Sequence, residues 1–307
     1  MFFVAAVGLG LAAATLGAFA GAYWWPLDLI ANFRPQLGVG ALVIGLWLLA
    51  ARWRRIGGVV MLAALVNILL VGWLWIPRPV SVSADADPLR VLSFNILAAN
   101  ENYGDVLGFL RETNADVVFL HESSAPWEEA VATADLGYRI VKTRDQNHIF
   151  GTLVLVRGVA DVEGFGFTER EARAVEVLLN LDSGKKVALL GVHPVAPVTE
   201  FESGLRDAQL NFATRWAASR QEPVVIAGDF NAGPWSYAFR RLEARGDVVD
   251  SQRGFGLQPS FPASSNLAFR IAIDHVLVSR EIRVVDRRLG PAMGSDHFPV
   301  VVDLLIG

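Results

Sequence analysis

The first 76 residues are almost wholly apolar, and this feature constrains the fold more than any other. Their charged side chains are one aspartate and four arginines: Asp28, Arg34, Arg52, Arg54 and Arg55. Apolar stretches of this length are typical of membrane segments and not of soluble domains. The rest of the 307-residue chain is long enough for one large α/β domain. The sequence therefore predicts a membrane region followed by a soluble domain.

Three apolar stretches predict about three transmembrane helices, at residues 2–24, 37–51 and 56–76. A helix needs about 20 apolar residues to span a bilayer core, so the second stretch is short. A cleaved signal peptide is the alternative for the first stretch. That stretch lacks a basic start, however, and is longer than the usual signal core of about 7 to 15 residues. Tryptophans cluster at the predicted ends, as at membrane interfaces, at positions Trp24, Trp25, Trp53, Trp73 and Trp75.

The arginines predict an orientation for this integral membrane region. Three of them lie between the second and third stretches, whereas Arg34 and Arg78 lie on the other side. Because arginine-rich turns stay in the cytoplasm, we expect the C-terminal domain on the outer, periplasmic or extracellular, face of the cytoplasmic membrane. Residues 77–88, PRPVSVSADADP, have no helical or strand periodicity and are predicted to be a linker. The soluble domain is then residues 89–307.

Charge and cysteine content exclude several classes of protein. The first 80 residues carry a net charge of +4 and the whole chain −4, which leaves −8 for residues 81–307. An acidic domain of this kind is unsuited to tight non-specific binding of nucleic acid, which needs many Lys and Arg contacts to phosphates. Cysteine is absent. This excludes disulfide partners, thiolate zinc sites and cysteine nucleophiles.

Short β-type runs alternate with helical stretches in the soluble domain. Strands are predicted at residues 90–96, 116–120, 151–157, 174–181, 186–193, 224–227, 273–279 and 298–305, and helices at 105–112 and 199–218. Several strand runs follow each other with little between them, which indicates antiparallel hairpins. The pattern predicts a layered α/β domain with mixed sheets and not a repeated βαβ barrel.

Polar residues end many of these apolar runs, where buried strands would deliver them to a sheet edge. They are Asn95, Glu122, His193, Asp229, Asn231, Asp274, Asp296 and His297. Several have a simpler explanation: Asn95 could be a local hydrogen-bonding residue, residues 229–234 contain turn formers, and Asp274 and Asp296 could cap strands. Acids, amides and imidazoles without cysteine favour a hard, oxygen-ligated metal ion and a water nucleophile.

Three motifs, GDFNAGPWS, AIDHVLVS and GSDHFPVVVDL, occur in that order. With the polar residues above, they resemble the endonuclease/exonuclease/phosphatase superfamily of metal-dependent phosphoesterases over residues 89–307. The resemblance implies an α/β four-layer sandwich: two packed mixed β-sheets flanked by helices, here preceded by the helical transmembrane segment.

The resemblance also implies roles for individual residues. Glu122 would bind Mg²⁺ or Mn²⁺, with Asn95 and Asp296 as further ligands or ligand-orienting groups. Asp229 would orient or deprotonate the attacking water, and Asn231 would hold that water or a phosphate oxygen. His297, polarised by Asp274, would donate to a non-bridging oxygen. His193 would contact the phosphate or assist the leaving group.

The sequence differs from the family pattern at two places, and several other residues near the motifs need an interpretation. His121 occupies a position where the family more often has glutamine, and Asp274-His275 replaces the Asp-Arg pair of the inositol-phosphatase branch, which argues against that branch. We expect His275 to pack beneath the site, and assign no role to His148. The aromatic residues Trp235, Phe255 and Phe261 are candidates for the rim of the cleft.

The superfamily includes nucleases and lipid phosphodiesterases, so the motifs predict the reaction and not the substrate. The leading hypothesis is a membrane-anchored, Mg²⁺-dependent phosphodiesterase acting on nucleic acid or on a lipid headgroup. The second hypothesis is a non-catalytic, membrane-tethered binding module on the same fold.

Overall fold

The structure, a computed structural model, describes residues 1–142, 151–165 and 174–307. It begins with four helices, α1 (Phe2–Gly17), α2 (Trp25–Ala31), α3 (Arg34–Ala50) and α4 (Arg54–Gly72), and a 3₁₀ turn at Trp73–Trp75. The short helix α2 meets α3 at an angle of 72°.

The first predicted span is shorter than the sequence suggested. Helix α1 ends at Gly17, so its 16 residues measure about 24 Å, less than the ~30 Å of a bilayer core. The chain then turns back so that Gly21 lies against Asp28 of α2, where a Cβ would be 2.7 Å from the Asp28 carboxylate. Among the described residues, α4 with its 3₁₀ turn is long and apolar enough to span a membrane, and the bent α2–α3 pair is a second such span if counted as one.

Hydrogen bonds between buried polar side chains join α1, α3 and α4. Asn67 of α4 donates to the Thr15 hydroxyl of α1 over 2.8 Å, and Arg34 of α3 donates to Asn67 Oδ1 over 3.1 Å. All three side chains are buried. The helices therefore pack as one group.

The rest of the described chain forms twelve strands, four α-helices and a 3₁₀ turn at Leu267–Phe269. The strands are β1 (Asp87–Asn95), β2 (Val117–Ser123), β3 (Arg139–Lys142), β4 (Gly151–Val156), β5 (Ala160–Phe165), β6 (Ala174–Asn180), β7 (Lys186–Val192), β8 (Val224–Asp229), β9 (Val248–Asp250), β10 (Asp274–Ser279), β11 (Arg283–Leu289) and β12 (Val300–Ile306). The helices are α5 (Tyr103–Thr113), α6 (Ala125–Thr133), α7 (Glu200–Ala218) and α8 (Tyr237–Gly246).

These strands form two six-stranded mixed sheets. The first has the order β11-β12-β1-β2-β4-β3 and the second β5-β6-β7-β8-β10-β9. In each sheet one pair is parallel, β1 with β2 and β7 with β8, and the other pairs are antiparallel. The predicted α/β four-layer sandwich is confirmed. Strand β1 begins at Asp87, two residues inside the predicted linker.

Alternation of side chains along the strands creates the four layers. In β1, Leu89 and Val91 face the second sheet, whereas Leu92 and Phe94 face the α5–α6 layer. In β8, Val225 and Ala227 face the first sheet, and the opposite face packs on α7 and α8. The main core thus lies between the two sheets.

Candidate active site

The candidate site is the polar end of the core between the sheets. Side chains two residues apart share one face of a strand. Four of the strands that contribute apolar residues to this core carry a polar residue further along the same face: His121 follows Val117 and Phe119, Asp229 follows Val225 and Ala227, Asp274 precedes Val276 and Val278, and Asn95 follows Leu89, Val91 and Ser93. His193 follows Leu189 and Gly191 in the same way. The same alternation that builds the core therefore delivers these groups to one place.

Glu122 reaches the site by a different route. The regular alternation would turn it away from the second sheet, but the pairing of β2 with β4 shifts register between His121 and Ser123. Glu122 lies in this β-bulge with a φ of +56°. Bulges re-aim single side chains, and a positive φ is unfavourable for a glutamate. Such strain is characteristic of functional positions.

Asn95 joins the two acids at the centre of the site. Its amide nitrogen donates to Glu122 Oε1 over 2.9 Å and to Asp229 Oδ2 over 3.2 Å. Its amide oxygen accepts from the backbone N–H of Leu97. Asn95 therefore presents its nitrogen, and not an oxygen, to the carboxylates. In this arrangement the Asn95 amide holds the Glu122 and Asp229 carboxylates together.

His297 and Asp274 form a buried pair. His297 Nδ1 donates to Asp274 Oδ2 over 2.8 Å, and His297 Nε2 lies 3.6 Å from Asp229 Oδ2. Burial alone would lower the pKa of His297, but the Asp274 and Asp229 carboxylates outweigh it and raise this pKa to about 10. The imidazole is therefore cationic at neutral pH and Nε2 is a hydrogen-bond donor facing the cleft.

Burial acts on Asp229 in the opposite sense. Removal from water raises the pKa of this carboxyl, and the Asp274 carboxylate raises it further, against the lowering effect of His297 and His193. A carboxylate with a raised pKa is a stronger base. Nε2 of His193 lies 3.6 Å from Asp229 Oδ2 and 3.7 Å from Glu122 Oε1. The two acids and two histidines thus surround one small volume.

The turn after β8 holds Asn231 beside Asp229. The backbone N–H of Asn231 donates to Asp229 Oδ1 over 2.9 Å, and its side chain donates to the Pro194 carbonyl over 3.0 Å. Asn231 has a φ of +48°, which asparagine tolerates better than most residues. Strand β8 also comes unusually close to β7, because a Cβ on Gly228 would lie 1.8 Å from the Val192 carbonyl oxygen. The GDFN sequence therefore matches a tight turn.

Asp296 lies at the margin of the site. Its side chain is 42 % exposed, and its Oδ1 is 4.0 Å from His297 Nε2. Ser295, which the sequence interpretation passed over, has a clearer role. Its hydroxyl donates to the Asn95 carbonyl over 2.6 Å and accepts from the His297 N–H. A serine two residues before the histidine is the signal that could have identified it, since serine hydroxyls often bond the backbone two residues on.

Oxygen donors suited to a hard divalent cation are present. Within the described chain, Asp229, Asp274 and His297 offer ligand atoms within 4.8 Å of one another. Asp274 Oδ2 and His297 Nδ1 already bond each other, however, so a cation there would have to break that bond. Glu122, which Asn95 holds beside Asp229, keeps a carboxylate oxygen of the kind that Mg²⁺ and Mn²⁺ prefer, and these ions usually retain several waters.

The remaining polar and aromatic candidates lie in varied places. His275 is buried beneath the site, with Nε2 3.1 Å from the Ala232 carbonyl, in the packing position the sequence predicted. His121 is fully buried, 5.6 Å from the His193 ring between centroids. Phe261 packs on His297 at 4.7 Å. The expectation that Trp235 lines the rim is wrong, because its indole is buried and donates to the Leu70 carbonyl of α4.

Phe255, the third rim candidate, lines a small cavity with Pro77 and Arg78 at the end of the helical region. His148 lies outside the described residues.

Two facing mixed sheets with acids, an amide and a histidine–aspartate pair at one end define an α/β phosphoesterase fold. The family model described as "Endonuclease/Exonuclease/phosphatase family" matches residues 92–297, about two thirds of the chain. This chain therefore belongs to the endonuclease/exonuclease/phosphatase family, whose members are typically hydrolases of phosphoester bonds and generally use divalent metal ions. No curated protein sequence matches the chain significantly.

Solved structures share the fold at low sequence identity. A family protein from Bacteroides thetaiotaomicron is 16 % identical over 73 % of this chain and 99 % of its own, with a TM-score of 0.60. A mannosyl-6-phosphatase from the same organism is 16 % identical over 70 % and 99 %, with a TM-score of 0.57. D. rerio TDP2 complexed with a single-strand DNA product is 16 % identical over 71 % and 98 %, with a TM-score of 0.57.

Proposed function

We propose that this chain is a membrane-anchored phosphodiesterase that depends on a divalent metal ion and uses water as its nucleophile. The observation that carries the proposal is the convergence of Glu122, Asp229, His193 and the Asp274–His297 pair within hydrogen-bond or ion-pair distance of one another. The substrate is a nucleic acid or a lipid headgroup. TDP2 in complex with a DNA product is one fold neighbour consistent with a diester.

In this proposal Glu122 would hold Mg²⁺ or Mn²⁺, Asn95 orients the Glu122 carboxylate, and Asp296 at the margin would be a further ligand or ligand-orienting group. The chemistry that such a cation supplies when bound is neutralisation of negative charge on the phosphate and leaving group. Asp229, with its raised pKa, accepts the proton of the attacking water. Asn231 positions that water or a phosphate oxygen.

Cationic His297 donates from Nε2 to a non-bridging oxygen as charge develops on the phosphorus centre. Asp274 fixes the tautomer and direction of that donor by binding Nδ1. His193 lies near both acids with its Nε2 towards the cleft, and assists the leaving group.

Anchoring is part of the proposal, with residues 1–76 in the membrane, 77–88 as the linker and 89–307 as the catalytic domain. Most of the exposed large hydrophobic side chains in the described residues belong to this N-terminal region. The core helix of a soluble protein is mostly buried. In contrast, only 28 % of the apolar 18-residue stretch within Arg54–Trp75 is buried. An apolar surface of this size needs a cover such as lipid.

The test uses the full chain in detergent micelles, with Mg²⁺ or with EDTA, against single-stranded DNA, RNA and phospholipid vesicles. Asp229→Asn, purified in parallel, controls for contaminating hydrolases. We expect EDTA-sensitive cleavage of one substrate class that Asp229→Asn lacks. Equal cleavage by both proteins would refute the proposed mechanism, and no cleavage in any condition would favour the binding-module hypothesis.

A further inference from the structure

The turn that follows β8 is held by the N-terminal helices. Its residues 230–236 connect Asp229 to α8 and include Asn231. The backbone N–H of Gly233 donates to Asn32 Oδ1 over 2.8 Å, and the Trp235 indole donates to the Leu70 carbonyl over 3.1 Å. Asn32 follows α2 and Leu70 belongs to α4. The proposed catalytic turn is thus bonded to a part of the chain about 200 residues away.

A buried ion pair adds to these bonds. Arg206 of α7 donates to Asp28 Oδ2 over 2.8 Å and to the Asn231 carbonyl over 3.3 Å. The other carboxylate oxygen, Asp28 Oδ1, accepts from the backbone N–H of Tyr237. Asp28 therefore supports both ends of the turn, one directly and one through Arg206.

Burial makes these contacts strong constraints. Asp28, Asn32 and Arg206 are all at least nine-tenths buried. A buried polar group that loses its partner keeps its full desolvation cost. The fit is also tight, since a Cβ on Gly233 would lie 2.7 Å from Asn32 Oδ1. The turn has little freedom to move while the helices are in place.

We propose that Asp28 and Asn32 of the N-terminal helical region, with Arg206, are positioning residues for the catalytic turn. They act through Asn231, whose backbone N–H orients Asp229. The helical region then completes the active site as well as anchoring it. This inference rests on the hydrolytic function proposed above. The reaction is sensitive to placement, since a shift of about 1 Å can cost on the order of 100-fold in rate.

The experiment compares substitutions in the full chain. Asn32→Leu removes the acceptor for Gly233, and Asn32→Asp keeps an oxygen at that position. Arg78→Met is the matched control, because Arg78 also joins the N-terminal segment to the domain. Arg78 donates to the Ile282 carbonyl in the turn after β10. This turn lies at the opposite end of β10 from Asp274, away from the site. The readouts are kcat and KM with Mg²⁺, and hydrogen exchange of the amides at residues 229–237 without substrate.

We expect Asn32→Leu to lower kcat by about 10- to 100-fold with little change in KM, and to speed amide exchange in the turn. Asn32→Asp should lie closer to the wild type, and Arg78→Met should match the wild type in both readouts. Equal kcat and equal exchange in Asn32→Leu and Arg78→Met would overturn the inference.

A second variant guards against misfolding. If Asn32→Leu does not fold, Arg206→Lys is used, since lysine keeps the charge beside Asp28 but cannot bond both Asp28 and Asn231 in the same way. It should show the same loss of kcat and faster exchange, and wild-type values would refute the inference. If the wild-type chain itself hydrolyses nothing, the proposed function fails, whereas the exchange measurement still decides whether the helices hold the turn.

Discussion

Asp229 is a buried carboxylate that we propose as the general base, and its burial costs folding free energy. Its carboxylate is removed from water and lies near Asp274, and both effects raise its pKa. We expect Asp229→Asn to lower kcat by about 10²- to 10⁴-fold, the usual contribution of a general base. The free energy of unfolding should stay the same or rise, because the neutral amide no longer buries a charge.

Steady-state rates and urea unfolding of the same samples check this prediction. Asp182→Asn, on an exposed turn, is the control and should change neither quantity. A clear loss of stability in Asp229→Asn would show that the charge is better compensated in the folded state than we infer.

We predict that His121 makes the free energy of unfolding depend on pH, which the glutamine more common in the family would not do. Burial lowers the pKa of this imidazole well below its normal value, and His193 and His297 lower it further. Below about pH 6.5 the unfolded chain takes up a proton that the folded chain does not, so stability falls as the pH falls. This one group contributes at most about 1.4 kcal/mol per pH unit.

His121→Gln should therefore lose less stability than the wild type between pH 6.5 and 5, and follow a parallel curve above pH 7.5. Urea unfolding at several pH values, in EDTA, measures the difference. Identical slopes in both proteins would mean that His121 is protonated in the folded state.

At the scale of single elements, the close contact between β7 and β8 depends on Gly228. A Cβ at this position would lie 1.8 Å from the Val192 carbonyl oxygen and 2.8 Å from its carbonyl carbon, and both atoms belong to the backbone. Gly228→Ala should therefore destabilise the domain by several kcal/mol, on the order of the larger single-residue effects. Gly108→Ala in α5 meets open space and should stabilise by about 0.5–1 kcal/mol. Thermal unfolding of the pair tests this, and a mild effect of Gly228→Ala would show that the two strands can separate.

Buried strands were the part of the fold that the sequence predicted well. The apolar runs at residues 174–181, 186–193 and 224–227 became β6, β7 and β8 with ends shifted by one or two residues. The strand β11 was missed because RVVDRRL is polar and lies at a sheet edge, where burial leaves no apolar pattern. The short strands β3 and β9 were missed for lack of length.

Some residues of the candidate site could be predicted from the sequence, and others could not. Asn95, Asp229 and Asp274 were predictable because they continue the two-residue alternation of core strands. The bulge that re-aims Glu122 depends on how β2 pairs with β4, which no local pattern of HES indicates. The contacts of Asp28 and Asn32 were also not predictable, since their partners lie about 200 residues away in the sequence.

At the scale of the whole molecule, contacts distinguish the two ends of the N-terminal helical region. Asp28, Gln36 and Leu74 bond to the two-sheet domain at Arg206, Arg270 and Gly254. At the other end, the start of α1 meets the turn between α3 and α4, where Phe2 packs on Trp53 at 5.2 Å. Arg52 lies in that turn, and Arg54 and Arg55 begin α4; together they form the arginine turn. The arginine turn and the two-sheet domain thus lie at opposite ends of the helices.

This polarity leads to the prediction that the catalytic domain is outside the cytoplasm. The positive-inside tendency retains the arginine turn in the cytoplasm, so a domain at the opposite end of the helices should be exported. A reporter active only outside the cytoplasm, fused after Gly307, should be active, and the same reporter inserted in the turn at Arg52 should be silent. Replacing Arg52, Arg54 and Arg55 with glutamine should reduce the difference, because the retained charge is what sets the orientation. Activity of the Gly307 fusion only with a cytoplasmic reporter would place the active site on the inner face and direct the search to intracellular phosphodiesters.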